Sequence, residues 1–180
     1  MSICVYLDNN VWDFLFDRGL DLSTELPPDE FCVCITREAE FEIPPIPDSK
    51  KQLKNFIYET IKKCTIETKS YFGFHNYDHP QSEQRVGGFG VGSWISQEEL
   101  SFIKQQKTKI GTKKKESTKL YNNEADVSIA ARSLHSIVLT LDAKKGPINE
   151  AYKNGGEIIY LKDFDESNMS LKQYILKKIS

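Results

Sequence analysis

A chain of 180 residues with 24 lysines and arginines against 26 aspartates and glutamates has a formal net charge of -2, so the molecule as a whole carries no strong attraction for a polyanion or an anionic membrane. Hydrophobic residues at 39% and charged residues at 28% describe a globular domain rather than a disordered or fibrous chain, and this length supports one core, hence a single domain over 1–180. No apolar run approaches the roughly 20 residues that cross a bilayer, and the N-terminus lacks the basic region and long apolar stretch of a secretory signal, so no membrane partner and a cytoplasmic location are expected.

The first strand is predicted at Ser2 to Leu7, an apolar run filled by β-branched and aromatic residues without helical spacing, with Asp8 at its end. Asn9 or Asn10 opens a helix that buries Val11, Phe14 and Leu15 and stops at Gly19. A polar loop is expected over 21–30, then a strand from Phe31 to Ile35. Thr36 caps a short helix carrying Glu38, Glu40 and Glu42, which Pro44-Pro45 must end. Asp48 starts a longer helix with Leu53, Phe56, Ile57 and Ile61 on its apolar side, and a short strand is expected around Cys64 to Thr68. Cys4, Cys32, Cys34 and Cys64 lie in or beside apolar runs without a second close pair of the kind zinc requires, and read as reduced core cysteines.

Tyr71 to Trp94 breaks the pattern, mixing Gly73, Gly87, Gly88, Gly90 and Gly92 with Phe72, Phe74, His75, His79, Phe89 and Trp94. The glycine run lacks the Lys-Ser/Thr that ends a phosphate loop. His75 and His79 have helical ligand spacing, but Gly73 and Pro80 argue against a helix, so zinc is not expected there. Ser96 and Glu99 form a capping-box pattern that starts a helix at Gln97. Lys104 to Lys119 then holds seven lysines against Glu116, a local excess of +6. Such a run is either a solvated loop or an electrostatic footprint for a phosphate backbone, with Lys109, Lys113, Lys114 and Lys115 as the candidate nucleic-acid contacts. The irregular insertion spans about 71–119.

A helix opening at Asn122 or Asn123 runs to about His135, followed by a strand over Ile137 to Leu141, a short helix over Ile148 to Lys153, a strand over Glu157 to Leu161 and an amphipathic helix over Ser170 to Ile179. Strands alternating with helices imply an α/β fold, a three-layer α/β/α sandwich around a central, mostly parallel sheet. In such a sheet the carboxyl ends of strands and the amino ends of the following helices share one edge, so Asp8, Asp142, Asp126 and an acid among Glu38, Glu40 and Glu42 converge there. Carboxylates packed together repel unless a cation intervenes, and Mg²⁺ or Mn²⁺ suits oxygen-only ligands. A metal so held activates water and neutralises charge on a scissile phosphate.

Three motifs resemble the PIN-domain nuclease family: Leu7-Asp8-Asn9-Asn10 resembles its opening Leu-Asp-x-Asn, Asn123 to Ala131 its Ala-Asp-x-x-Ile-Ala-Ala helix start, and Thr140-Leu141-Asp142 its final Thr-x-Asp. The resemblance implies a divalent-metal-dependent endonuclease, typically acting on single-stranded RNA, with Asp8, Asp126 and Asp142 as metal ligands and Asn10 and Thr140 in support. Its second acid is assigned to Glu40, four positions after Thr36, with Glu38 next. Many relatives are toxins of bacterial toxin–antitoxin pairs and others process RNA, so an antitoxin or other protein and a second copy of the chain are the candidate partners. A DNA-directed nuclease of the same fold, or a catalytically inactive RNA- or protein-binding module, are the alternatives.

Overall fold

A computed structural model describes residues 2–77, 80–166 and 168–179. Five parallel strands form its centre: β1 (Ile3–Leu7), β2 (Phe31–Thr36), β3 (Glu67–Lys69), and, after a small separate sheet of β4 (Tyr71–Phe72) and β5 (Val86–Gly87), β6 (Ile137–Thr140) and β7 (Ile158–Tyr160). The order across the sheet is β3-β2-β1-β6-β7, so the chain moves outward from β1 in one direction, then returns to build the other side. Register is set by the pairs Val5↔Val33 and Val5↔Ile137 at the centre and Leu139↔Ile159 beyond.

Side-chain alternation along the strands divides the core in two. Val5, Leu7, Val33, Ile35, Ile137 and Leu139 point to one face and meet α1 (Asn10–Asp17), α4 (Lys51–Lys63) and α8 (Leu171–Ile179) through Trp12, Leu15, Leu53, Ile57, Leu171 and Ile175. Tyr6, Cys34 and Val138 point to the other, where α5 (Gln97–Gln106), α6 (Glu124–Arg132) and α7 (Pro147–Lys153) supply Phe102, Ile129, Ala130, Ile148 and Ala151. The result is the three-layer α/β/α sandwich expected from the alternating pattern. Cys4, Cys32, Cys34 and Cys64 are free, and the Cys32 and Cys34 sulfurs, on one side of β2, lie 3.8 Å apart.

Local differences have local causes. The expected loop after Gly19 holds a one-turn helix, α2 (Leu22–Glu25), because Asp21 accepts from the Ser23 N–H while Leu22 and Leu26 are buried. Asp48 opens a 3-10 turn before α4. Asn9 does not cap α1 with its side chain, which is drawn elsewhere. Thr36 does cap α3 (Arg37–Phe41) by accepting from the Ala39 N–H at 3.1 Å, and Ser96 and Glu99 close the capping box of α5. Among the described residues no helix is long and apolar enough to cross a membrane.

Candidate metal and phosphodiester site

β1 and β6 are neighbours whose connections leave in opposite directions, and at such a switch point the loops part to leave a crevice at the carboxyl edge. Asp8 is the first residue beyond β1, Thr140 the last of β6, and Asp142 lies two further on. Polar side chains stitch this crevice. Thr140 Oγ1 donates to Asp8 Oδ2 at 2.6 Å and accepts from the Asp142 N–H at 2.9 Å. Asn10 Nδ2 donates to the same Asp8 oxygen at 2.5 Å while its Oδ1 accepts from the Leu141 N–H at 2.9 Å, and the Asn9 N–H donates to Asp8 Oδ1 at 2.8 Å. Asn10, at the start of α1, and Thr140, at the end of β6, therefore both hold Asp8.

Asp126 comes from the first turn of α6. Asn123 takes a left-handed conformation, φ +60°, to turn the chain into that helix, and Glu124 secures the start by accepting from the Tyr121 N–H at 2.7 Å and from Arg85 at 2.9 Å. Burial pushes the Asp8 carboxyl up to about 6; the Thr140 hydrogen bond opposes this and the Asp126 charge adds to it. Asp126 is likewise raised, first by burial and then by the charges of Glu42 and Asp142, with Lys115 working against them. Asp126 and Asp142 line a cavity of about 540 Å³ whose other walls include Lys109, Lys144 and Lys145. Carboxylates and lysines sharing one cavity suit a phosphate bridged to a cation.

The three glutamates near α3 separate cleanly. Glu38 is partly buried toward α6, accepting from Ser128 Oγ at 2.6 Å, and the desolvation of its carboxyl raises its pKa. Glu40, assigned above as the second acid, instead pairs with Arg37 three residues before it. Glu42 accepts from Asn9 Nδ2 at 2.6 Å, and its charge is the glutamate charge that bears on Asp126. Of the three, Arg37 pairs with Glu40 on the same helix turn, while Glu42, just past the helix end, is held by Asn9 at the start of α1 and is the one whose charge bears on Asp126.

Asn9, Lys144 and Lys145 also reach the site without having been singled out by sequence. The lysines were readable as a basic pair directly after the last acidic strand end, Asp142-Ala143-Lys144-Lys145. Of the lysine stripe, Lys109 reaches the cavity, Lys115 acts on Asp126, Lys114 pairs with Glu83 at 2.6 Å, and Lys113 is exposed. His75 is exposed, and His79 lies outside the described residues.

As placed, no three His, Cys, Asp or Glu side chains among the described residues stand close enough to share one metal ion. The donor chemistry still fits a hard divalent cation: the groups are carboxylates, two of them held above their ordinary range by burial and mutual repulsion. Mg²⁺ keeps several waters and is commonly held by one or two carboxylates together with substrate phosphates, which needs no closed protein cage.

No protein-family model matches the chain, and no curated protein matches it. Solved structures similar in shape include the following two. One is VapBC2 from Rickettsia felis bound to a DNA fragment from their promoter, at 11% identity and a TM-score of 0.47, covering 88% of this chain and 98% of that one. The other is a domain of a functionally unknown protein from Methanocaldococcus jannaschii, at 15% identity and a TM-score of 0.41, covering 91% of this chain and 94% of that one. At these values neither likeness bears on chemistry or partners.

Proposed function

We propose that this chain is a divalent-metal-dependent endonuclease that hydrolyses phosphodiester bonds in single-stranded nucleic acid, with RNA as its substrate. What supports the reading is that Asp126 feels the charges of Glu42 and Asp142, that Asp8 feels the charge of Asp126, and that Asp126 and Asp142 share a cavity with Lys109, Lys144 and Lys145. In this reading Asp8, Asp126 and Asp142 hold Mg²⁺ or Mn²⁺, and the bound ion supplies charge neutralisation and a more acidic water. Asn10 and Thr140 orient Asp8, Asn9 orients Glu42, and the three lysines bind the phosphates on either side of the scissile bond. The resemblance of three motifs to PIN-domain nucleases supports the same assignment and adds RNA and an antitoxin-like protein partner.

The test is cleavage of a labelled single-stranded RNA with Mn²⁺ or Mg²⁺. Activity is expected to vanish in excess chelator and in Asp8→Asn, with circular dichroism unchanged; cleavage that survives either treatment overturns the proposal. One observation favours a second reading, a nucleic-acid-binding module without cleavage: no three of the acids share an ion as placed. Binding without cleavage at millimolar Mn²⁺ selects it.

A further inference from the structure

The insertion between β3 and α5 builds a surface that the acidic edge does not explain. β4 and β5 pair in parallel, and alternation sends Tyr71 and Phe72 to opposite sides. Tyr71 turns inward, donating to Glu99 Oε1 at 2.9 Å and lying 3.6 Å from the Arg132 guanidinium, ring centroid to carbon. Phe72 turns outward into a cluster of rings, with Trp94, Phe89 and Phe74 at centroid distances of 4.7, 4.9 and 6.2 Å. Phe74, Phe89 and Trp94 are 85%, 82% and 78% exposed, although the chain has ample core in which to bury aromatic rings. A contiguous aromatic patch left in water marks an interaction surface.

The glycine run constructs this patch. A Cβ on Gly92 would come within 2.5 Å of the Phe72 Cα and of the Gly87 carbonyl oxygen, and one on Gly87 within 2.7 Å of the Gly92 nitrogen. Only glycine at both positions lets the 88–93 loop lie against β4, which sets Phe89 and Trp94 beside Phe72.

Composition and placement choose the occupant. The patch is dominated by ring faces, and the insertion that carries it continues in sequence into the lysine stripe. The two are tied to each other and to the catalytic edge: Lys114 pairs with Glu83, Arg85 with Glu124, and Arg37 donates to the Ser82 and Gln84 carbonyls. Arg132, against which Tyr71 packs, is six residues along α6 from Asp126, about 9 Å by helical rise. Unpaired bases stack on aromatic rings without regard to sequence while basic groups follow the backbone.

We propose that Phe72, Phe74, Phe89 and Trp94 form a base-stacking platform that binds single-stranded nucleic acid and leads it toward Asp126. The proposal rests on reading that edge as a phosphodiesterase site and supplies its substrate-binding surface.

The chain holds two tryptophans, Trp12 buried and Trp94 exposed, which makes stacking visible. A fluorescein-labelled 12-mer of uridine, titrated in EDTA to prevent cleavage, is expected to quench Trp94 emission on binding. By anisotropy, Trp94→Ala and Phe89→Ala should each lose on the order of 10-fold in affinity. Trp94→Phe should keep the affinity and lose the quenching. Both alanine sites are exposed, and unchanged melting temperatures exclude misfolding. Alanine variants that bind within twofold of the parent, or emission that the 12-mer does not quench, overturn the platform. So does a parent dimer that Trp94→Ala dissolves, since the rings then cover a second copy. The two readings fail separately: quenching without Mn²⁺-dependent cleavage removes the catalytic reading alone, and cleavage unaffected by Trp94→Ala removes the platform alone.

Discussion

Thr140 Oγ1 donates to Asp8 Oδ2 across 2.6 Å, joining the end of one central strand to the residue just past its neighbour, 132 positions away in sequence. Thr140 is wholly buried and also accepts from the Asp142 N–H, so one hydroxyl orders two of the edge acids. Thr140→Val keeps the shape and strands both partners. It is expected to cost about 1–3 kcal/mol of stability and to reduce metal-dependent cleavage more than it raises KM for the oligonucleotide. Denaturant titration and steady-state kinetics check this; parent-like values in both would show the hydroxyl to be dispensable.

The buried acids predict how the metal-free protein responds to pH. Asp8 is held at about 6, above its ordinary 3.8, and Glu38 and Asp126 are raised as well, chiefly by burial. Each is protonated more readily folded than unfolded, so its contribution is fully present below pH 4 and is lost as pH rises through the folded value. For Asp8 the loss approaches about 3 kcal/mol. Melting temperature in EDTA should therefore fall between pH 5 and pH 7. Asp21, Glu83 and Glu98 are held low and act only below that window. Asp8→Asn, which removes the carboxyl held near 6, should flatten the fall; a slope identical to the parent's would contradict the burial argument.

Much of this fold was readable from residue patterns. The apolar runs placed β1, β2, β6 and β7, the expected strand at Cys64 to Thr68 overlaps the polar β3 (Glu67–Lys69) only at Glu67 and Thr68, and the capping residues Thr36 and Ser96 located two helix starts to the residue. The edge acids Asp8, Asp126 and Asp142 were legible because topology alone sends strand ends and helix starts to one side. The environments of Glu38, Glu40 and Glu42 were harder to read: they depend on which one Arg37 captures and on Asn9 reaching across from another element, and neither contact leaves a local periodicity. The β4–β5 sheet was invisible because strands of two residues held by glycine contacts carry no alternation to detect.

Divalent ions should stabilise the protein if the edge acids bind them. At a Mn²⁺ concentration 100 times the dissociation constant, binding to the folded state contributes about 2.7 kcal/mol, or roughly 5–10 °C for a chain of this size. Asp126→Asn should abolish most of the shift, whereas Glu40→Gln, on the outward-paired glutamate, should leave it intact. Equal shifts in both variants would place the ion elsewhere.

Gly92→Ala drives a methyl group into the Phe72 backbone and should open the small sheet without unfolding the large one. Hydrogen exchange is expected to quicken over 70–93 while the amides of β1 and β6 stay protected. Uniform protection would mean that the loop accommodates the methyl group.

The wide sequence separation between the two walls of the crevice has a consequence during synthesis. Until residues 137–160 have left the ribosome, Asp8 has neither Thr140 to hold it nor Asp142 opposite, and β1 has an open side. A half-made chain therefore lacks the crevice altogether, and the acidic edge is assembled only when the last crossovers dock.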